Sequence, residues 1–396
     1  MNKNEKTVSN NPPQETSNLS SPQERTETQM TSDFVSIVQQ IESAFGEVER
    51  DKNGTVIGVN LAKERSSVSD DVLHTSLQIP RLKKLRVAGG AITSKTLQQI
   101  AEQKNLEELY LQETPIQDGD LAIILPKLSQ LQRLTLRGCN NVTDQCAESI
   151  LALLRLRSLA LIKMNLTRQG LEKIIKSQTI TALDLRQCSA LTAQDYTLLA
   201  KMPQLSDLKI GGFAVEDSVL ETVTQLSKLT GLTIEDAMIS SDGFAKIAAN
   251  QNWTQNITLL VLARDTMLFD AGLEPLKNFP KLKRLSINGM MITGEFLAVL
   301  AVEESKRPKL ETLSLQRSLL TPEGVAALKN YRELKSLDLT GVTMTQDVAK
   351  TITALETLET LNLSDCQLDN EIIQPIRNMK SLKTLILNGN PLLQNP

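Results

Sequence analysis

Apolar residues recur along most of this chain in the order L-x-x-L-x-L, beginning at Leu82 (LKKLRV), Leu106 (LEELYL), Leu131 (LQRLTL), Leu156 (LRSLAL), Ile180 (ITALDL), Leu205 (LSDLKI) and Leu229 (LTGLTI). Further copies begin at Ile257, Leu282, Leu310, Leu334, Leu358 and Leu382, with a weaker one, VIGVNL, at Val56. From Leu82 on, successive starts lie 24 to 28 residues apart, so internal repetition is the first fact to read. The alternation predicts a short strand in each copy, with positions four and six on one side and three, five and seven on the other. A second signal follows each strand: an apolar residue, often a Thr or Ser, then apolar residues at helical spacing. Leu166-Thr167 with Leu171 and Ile174, and Ile239-Ser240 with Phe244 and Ile247, are examples. The hydroxyl is placed to cap a helix, so each unit reads as strand, turn, short helix, turn.

Strands joined through helices run parallel with right-handed crossovers, and one strand with one helix cannot bury its own apolar face. The units must therefore stack. The predicted fold class is α/β: a solenoid over residues 56–396 of about 14 repeats of 24–28 residues, with a parallel sheet on the concave face and short helices on the convex face. Ahead of it, Phe34, Ile37, Val38, Ile41, Phe45 and Val48 fall at steps of three and four, which predicts a capping helix within 32–55. Residues 1–31 are almost devoid of large apolar side chains and are expected to form a disordered tail.

Composition narrows the chemistry. Aromatics make up only 3% of the 396 residues, so the core must be aliphatic. The one histidine, His74, excludes a multi-histidine metal site and disfavours a Ser/His or Cys/His triad. With 43 Lys+Arg against 46 Asp+Glu there is no basic excess to neutralise phosphates, so nucleic acid is not an expected partner. Gly89-Gly90 and Gly211-Gly212 fit no phosphate-binding motif and read as turns, and no cofactor is expected. The chain shows neither a signal peptide nor a membrane-length apolar run, and four cysteines are too few for a disulfide framework, which together suggest a cytoplasmic location.

The units LTLRGCNNVTDQCAESI and LDLRQCSALTAQDYTLL resemble leucine-rich repeats of the cysteine-containing type found behind F-box modules, and the resemblance covers Val56 to Pro396. The segment IESAFGEVERDKNGTVIGVNL is similar to the opening of bacterial, planctomycete-like members. What the resemblance implies is a non-enzymatic scaffold that binds a protein or peptide on its concave face. A ubiquitin-ligase-like or host-directed effector, with the chain as its substrate-recognition part, is the alternative, and an enzyme is the second alternative. Position nine, usually Asn, Cys or Thr in the family, is instead Met164, Phe213, Ala237, Asp265 or Val342 in several units, which predicts an incomplete hydrogen-bonding ladder. Cys139, Cys188 and Cys366 share that position and are expected to be structural.

Two regions carry the candidate contacts. On the concave face, Arg137, Ile162 and Arg186 occupy position seven of three consecutive repeats, with Tyr110 and Lys209 at position five nearby. This mixture of aromatic, aliphatic and basic groups is expected to grip an acidic segment with an apolar anchor, unless Asp184 pairs with an arginine and neutralises part of it. The concave positions of the C-terminal half are small and polar and read as inert. Two 28-residue spacings add residues around 251–256, with Trp253, and around 303–308, with Pro308; both are expected to be loops on one edge and are candidate binding elements.

Overall fold

The computed structural model describes residues 27–265, 267–305 and 307–393; most of the predicted tail lies outside them. Fifteen strands form one sheet in chain order, from β1 (Glu47–Arg50) and β2 (Val56–Leu61) through β3 (Lys84–Ala88) to β15 (Thr384–Ile386). Every pair from β2 onward is parallel, whereas β1 pairs with β2 antiparallel. The weak copy at Val56 is thus a true strand of the array, and β1 is an addition that the repeat pattern does not contain. One register runs through the array: Leu85, Leu109, Leu134, Leu159, Leu183, Leu208 and Leu232, all at position four, are direct neighbours. These leucines are buried against a convex layer that contributes Leu121, Leu171, Leu220, Phe244 and Leu297. A stack of such layers makes one continuous aliphatic core.

Each strand ends in the same device. Position eight is left-handed in all thirteen repeats from Leu82: six are glycines, and the others are Glu113, Lys163, Gln187, Asp236, Arg264, Arg317 and Asp365, with φ between 51 and 61°. Its amide donates to the position-seven carbonyl of the next repeat, as in Glu113 to Arg137 (2.8 Å), Gly138 to Ile162 (2.9 Å) and Lys163 to Arg186 (3.0 Å). The hydrogen bond fixes the turn and offsets the strain of a left-handed non-glycine residue. At three strands with Asp or Asn at position five, the strand stops early. The side chains of Asp184, Asp338 and Asn362 accept the amide two residues on and end three-residue strands there.

The predicted caps are present, and they are linked from repeat to repeat. Thr93, Thr167, Ser240, Thr321 and Thr345 occupy N-cap positions with side chains accepting first-turn amides. An aspartate near the start of one helix in turn accepts the amide and hydroxyl of the capping residue one repeat later: Asp70 from Thr93, Asp144 from Thr167 and Asp217 from Ser240; Asp270 does so from Thr293, which precedes the Gly294 cap. A Cβ on Gly243 would collide with the Asp217 carboxylate, which is why that slot is glycine.

At the N-terminal end, helix α1 spans Glu27–Ser43, so it begins ahead of the boundary at 32. Val38 and Ile41 are buried and Phe34 and Ile37 half-buried, while the backbone at Gly46 comes so close that a Cβ there would lie 2.7 Å from Leu61 and 2.8 Å from Ile41. Two members of the expected apolar face leave it. The helix stops at Ser43, Phe45 adopts a left-handed conformation (φ 58°) and points outward, and Val48 belongs to β1. Chain reversal into an antiparallel strand takes over the last turn of the helix that the periodicity predicts.

Candidate functional site

Position five and position seven side chains stand on the open sheet face, and the register brings the predicted patch together. Gln112, Arg137 and Ile162 are adjacent at position seven, and Arg86, Tyr110 and Thr135 at position five. Lys163 donates its amide to the Arg186 carbonyl, which extends the position-seven column by one repeat. Asp184, Lys209 and Thr233 are adjacent in the position-five column.

Local partners divide these residues into two kinds. Tyr110 is half-buried: the Arg86 guanidinium lies 5.8 Å from its ring centroid, its hydroxyl donates to Gln112 Oε1, and burial pushes its pKa up. Arg86 is itself held by Glu108 (2.7 Å), which also binds Arg133 (3.0 Å). Burial would raise the Glu108 pKa, but hydrogen bonds from both guanidinium groups and their charges outweigh it and hold the carboxyl below its ordinary 4.5. Arg186 is clamped by Asp184 (2.7 Å) and by Glu235 (2.6 Å), and Glu235 also meets Arg264 (3.0 Å), which closes on Asp236 (2.6 Å). Asp184 therefore takes Arg186 and leaves Arg137. Among the described residues Arg137 and Lys209 have no ion pair, and both are half-exposed. Ile162 is only 8% exposed, so the apolar part of the patch is smaller than the sequence suggests.

Position three is what sequence reasoning missed. Glu108 and Arg133 flank Tyr110 from that position and, with Arg86, fix the aromatic ring; opposite charges in adjacent repeats were the available signal. The C-terminal half of the face forms a self-contained polar network. Ser314 donates to Asn288, Gln316 to Asp338, Thr340 to Asp338 and Ser364 to Asn362, so its hydrogen-bonding groups are largely satisfied from within.

The first insertion differs from the expectation of an exposed loop, whereas residues 302–305 of the second are exposed and outside any helix or strand, as expected. Residues Gln251–Thr254 form a helical turn that buries Trp253 (1% exposed) edge-on against Phe279, with ring centroids 5.4 Å apart. Pro308 is buried as well, while Arg307 stacks 5.9 Å from the Tyr331 ring centroid. Extra length in the first of these repeats fills the convex layer, where Trp253 covers Phe279. The two insertions do share an edge: Gln251, Gln255 and Ser305 line one depression of about 420 Å³.

Cys139, Cys188 and Cys366 sit at position nine, buried and unbridged. Their thiols donate to the position-six carbonyl of the preceding repeat, at Leu111 (3.6 Å), Leu161 (2.9 Å) and Leu339 (3.1 Å). Asn390 does the same to Leu363 (2.8 Å) and also accepts the Cys366 and Leu368 amides. Asp265 accepts the amides of Ile239 and Met267 at the same level. Burial pushes the thiols of Cys188 and Cys366 up to about 11 and that of Cys146, in the first turn of its helix, up to about 12. Phe213 is the exception, turned out to solvent at 83% exposure. His74 is exposed, with Nδ1 2.8 Å from Gln99 Oε1. Among the described residues no helix is long and apolar enough to cross a membrane.

Comparison with known proteins agrees with this geometry. A leucine-rich repeat family profile matches residues 354–376. A chain of the yeast Rad7–Elc1 complex superposes with a TM-score of 0.53 at 19% identity, covering 93% of this chain and 91% of that one. An internalin from Listeria monocytogenes aligns with a TM-score of 0.46 at 22% identity, over 84% of this chain and 86% of its own. The profile match, the Rad7–Elc1 superposition and the sheet and helix layers together support an α/β leucine-rich repeat solenoid as the fold.

Proposed function

We propose that this leucine-rich repeat solenoid is a non-enzymatic scaffold that holds an acidic segment of a partner protein against the concave face of its N-terminal half. The observation that carries the reading is charge left over. Arg86, Arg133, Arg186 and Arg264 are each paired within the face, whereas Arg137 and Lys209 are not; Arg137 adjoins Ile162, and Lys209 stands beyond the Asp184–Arg186 pair, next to Asp184. Partner carboxylates would complete those two cations, with the braced ring of Tyr110 as the aromatic contact. In the C-terminal half the position-five and position-seven groups satisfy one another, and Arg284 and Arg317, cations unpaired among the described residues, stand outside those two columns. The yeast neighbour comes from a complex of two proteins, which accords with a binding role as a likeness of fold alone.

The test is affinity capture from native lysate with the full chain and with an Arg137→Ala/Lys209→Ala variant, followed by mass spectrometry. A partner retained by the parent and released by the variant supports the reading. A partner retained equally by both removes the concave patch from it.

A further inference from the structure

We propose that the lip formed by the strand-to-helix loops of the Leu205 to Leu310 repeats is a second docking surface, shaped for a basic amphipathic helix of a partner protein. It rests on the reading of the chain as a protein-binding scaffold, but not on the concave patch. Phe213, Met238, Met267, Phe269, Met291 and Leu319 project from five successive repeats and are 37 to 83% exposed. The backbone keeps them in line. Met238 donates its amide to Val215 and Leu319 to Ile292, each at 2.9 Å, and Asp265 ties the Ile239 and Met267 amides from below. At a strand spacing of ~4.8 Å the row spans roughly 20 Å, the length of a helix of about 13 residues. Methionine-rich surfaces of this kind adapt to apolar side chains presented at i, i+3, i+4 and i+7.

Charge selects the occupant. On the helix side of the row stand Glu216, Asp242, Glu295 and Glu323, all exposed and none with an ion pair among the described residues. First-turn acids suit helix dipoles in general, but the equivalents of Asp242, Glu295 and Glu323 in the five preceding repeats are Lys95, Gly119, Gln145, Gln169 and Gln194. The place held by Met238, Met291 and Leu319 is Ala91, Pro115, Asn140, Asn165 and Ser189 in those same repeats. The acids at this place start in the Leu229 repeat and continue past Leu319 as Asp347 and Glu371, so it is only between the Leu205 and Leu310 repeats that carboxylates run beside an exposed apolar row. On the concave side, Asp236 and Arg264 neutralise each other, and Arg317 alone is left unpaired. A helix with one apolar face flanked by lysine or arginine matches both rows, while an acidic helix or an anionic lipid surface meets four uncompensated carboxylates.

The experiment uses the full chain and a fluorescein-labelled 18-residue leucine/lysine helix, apolar on one face, alongside the same helix with glutamate in place of lysine. Fluorescence anisotropy is expected to show the lysine helix binding at least about ten-fold tighter. Met291→Asp/Leu319→Asp should weaken it about ten-fold. Glu295→Lys/Glu323→Lys should weaken the lysine helix and strengthen the glutamate one, and Arg137→Ala/Lys209→Ala should change neither. Equal affinities, absent binding, or indifference to the lip substitutions overturns the proposal. So does lip-dependent capture of the chain by phosphatidylcholine/phosphatidylserine vesicles, which makes the surface a membrane contact. A dimer in sedimentation that Met291→Asp dissociates overturns it in favour of a second copy of this chain. The substituted lip positions are exposed and Arg137 and Lys209 half-exposed, and matching circular dichroism melts confirm that each variant folds.

Discussion

Arg186 and Glu235 stand two repeats apart in the position-seven column, yet Nη1 and Oε1 meet at 2.6 Å because Gly211, between them, has no side chain. A Cβ at Gly211 would also overlap the Glu235 carbonyl oxygen. The bridge and the Asp184 clamp make Arg186 part of the scaffold, while Arg137, in the same column, holds nothing. Arg186→Ala leaves the mostly buried Asp184 without its cation and is expected to cost about 2–3 kcal/mol of unfolding free energy. Arg137→Ala should stay within about 0.5 kcal/mol. Urea titrations of the two variants check the contrast; equal costs would show that the network is not structural.

Acid stability should depend on Glu108. Its folded pKa lies below the unfolded 4.5, so its contribution is complete above the unfolded value and is lost as pH falls through the folded one. Glu108→Gln should be less stable than the parent at neutral pH, and the gap should close on acidification. Melting temperatures between pH 7 and pH 3 give the comparison. A gap that stays constant with pH contradicts the assignment.

Asp265 should behave with the opposite sign. Burial raises its pKa above 3.8 against the opposing backbone hydrogen bonds, so ionisation opposes folding, and its penalty fades as pH falls through the raised value. Asn390 shows that an amide fits this level, accepting two amides and donating to a carbonyl. Asp265→Asn is therefore expected to raise the melting temperature at pH 7 by about 1–2 °C and to lose that advantage in acid. A lower melting temperature at pH 7 would show that the second carboxylate oxygen matters more than the charge.

The position-nine cysteines should be chemically quiet. With thiols buried and pushed to about 11 at Cys188 and Cys366, a thiol reagent at pH 8 is expected to label none of the four in the native chain and all four in denaturant. Cys188→Ser keeps a donor for the Leu161 carbonyl, whereas Cys188→Val removes it and should cost about 1–2 kcal/mol more. Chemical denaturation of both variants decides between a hydrogen-bonding role and simple space filling.

Most of the repeat architecture was legible because one apolar pattern serves every unit: Leu85 and Leu109 predict each other. What escaped depends on backbone conformation and on reach across repeats. The left-handed residue at position eight carries no single residue type, since Gly138, Lys163 and Asp236 all adopt it through the same hydrogen bond. The link from Arg186 to Glu235 joins residues 49 apart in sequence and depends on the gap at Gly211. Extra length suggests a protrusion, which holds for the exposed residues 302–305 but not for Trp253, where it supplies backbone to enclose aromatic side chains, nor for the buried Pro308. The concave candidates were placed correctly in the register, but Asp184 and Glu235 decide which of their charges remain available.

The capping relay gives the solenoid a polarity in how it comes apart. Each aspartate serves the hydroxyl and amide of the following repeat, so a repeat peeling from the C-terminal end releases a carboxylate that water solvates readily. A repeat lost from the other end strips the next helix of the acceptor for its first amide. At the C-terminal end Leu382, Leu385 and Leu387 are already only half-buried, whereas α1 and β1 close the N-terminal one. In a chain of these 396 residues, amide exchange should therefore appear as a one-way gradient, slowest beneath α1 and fastest at the half-buried leucines of β15.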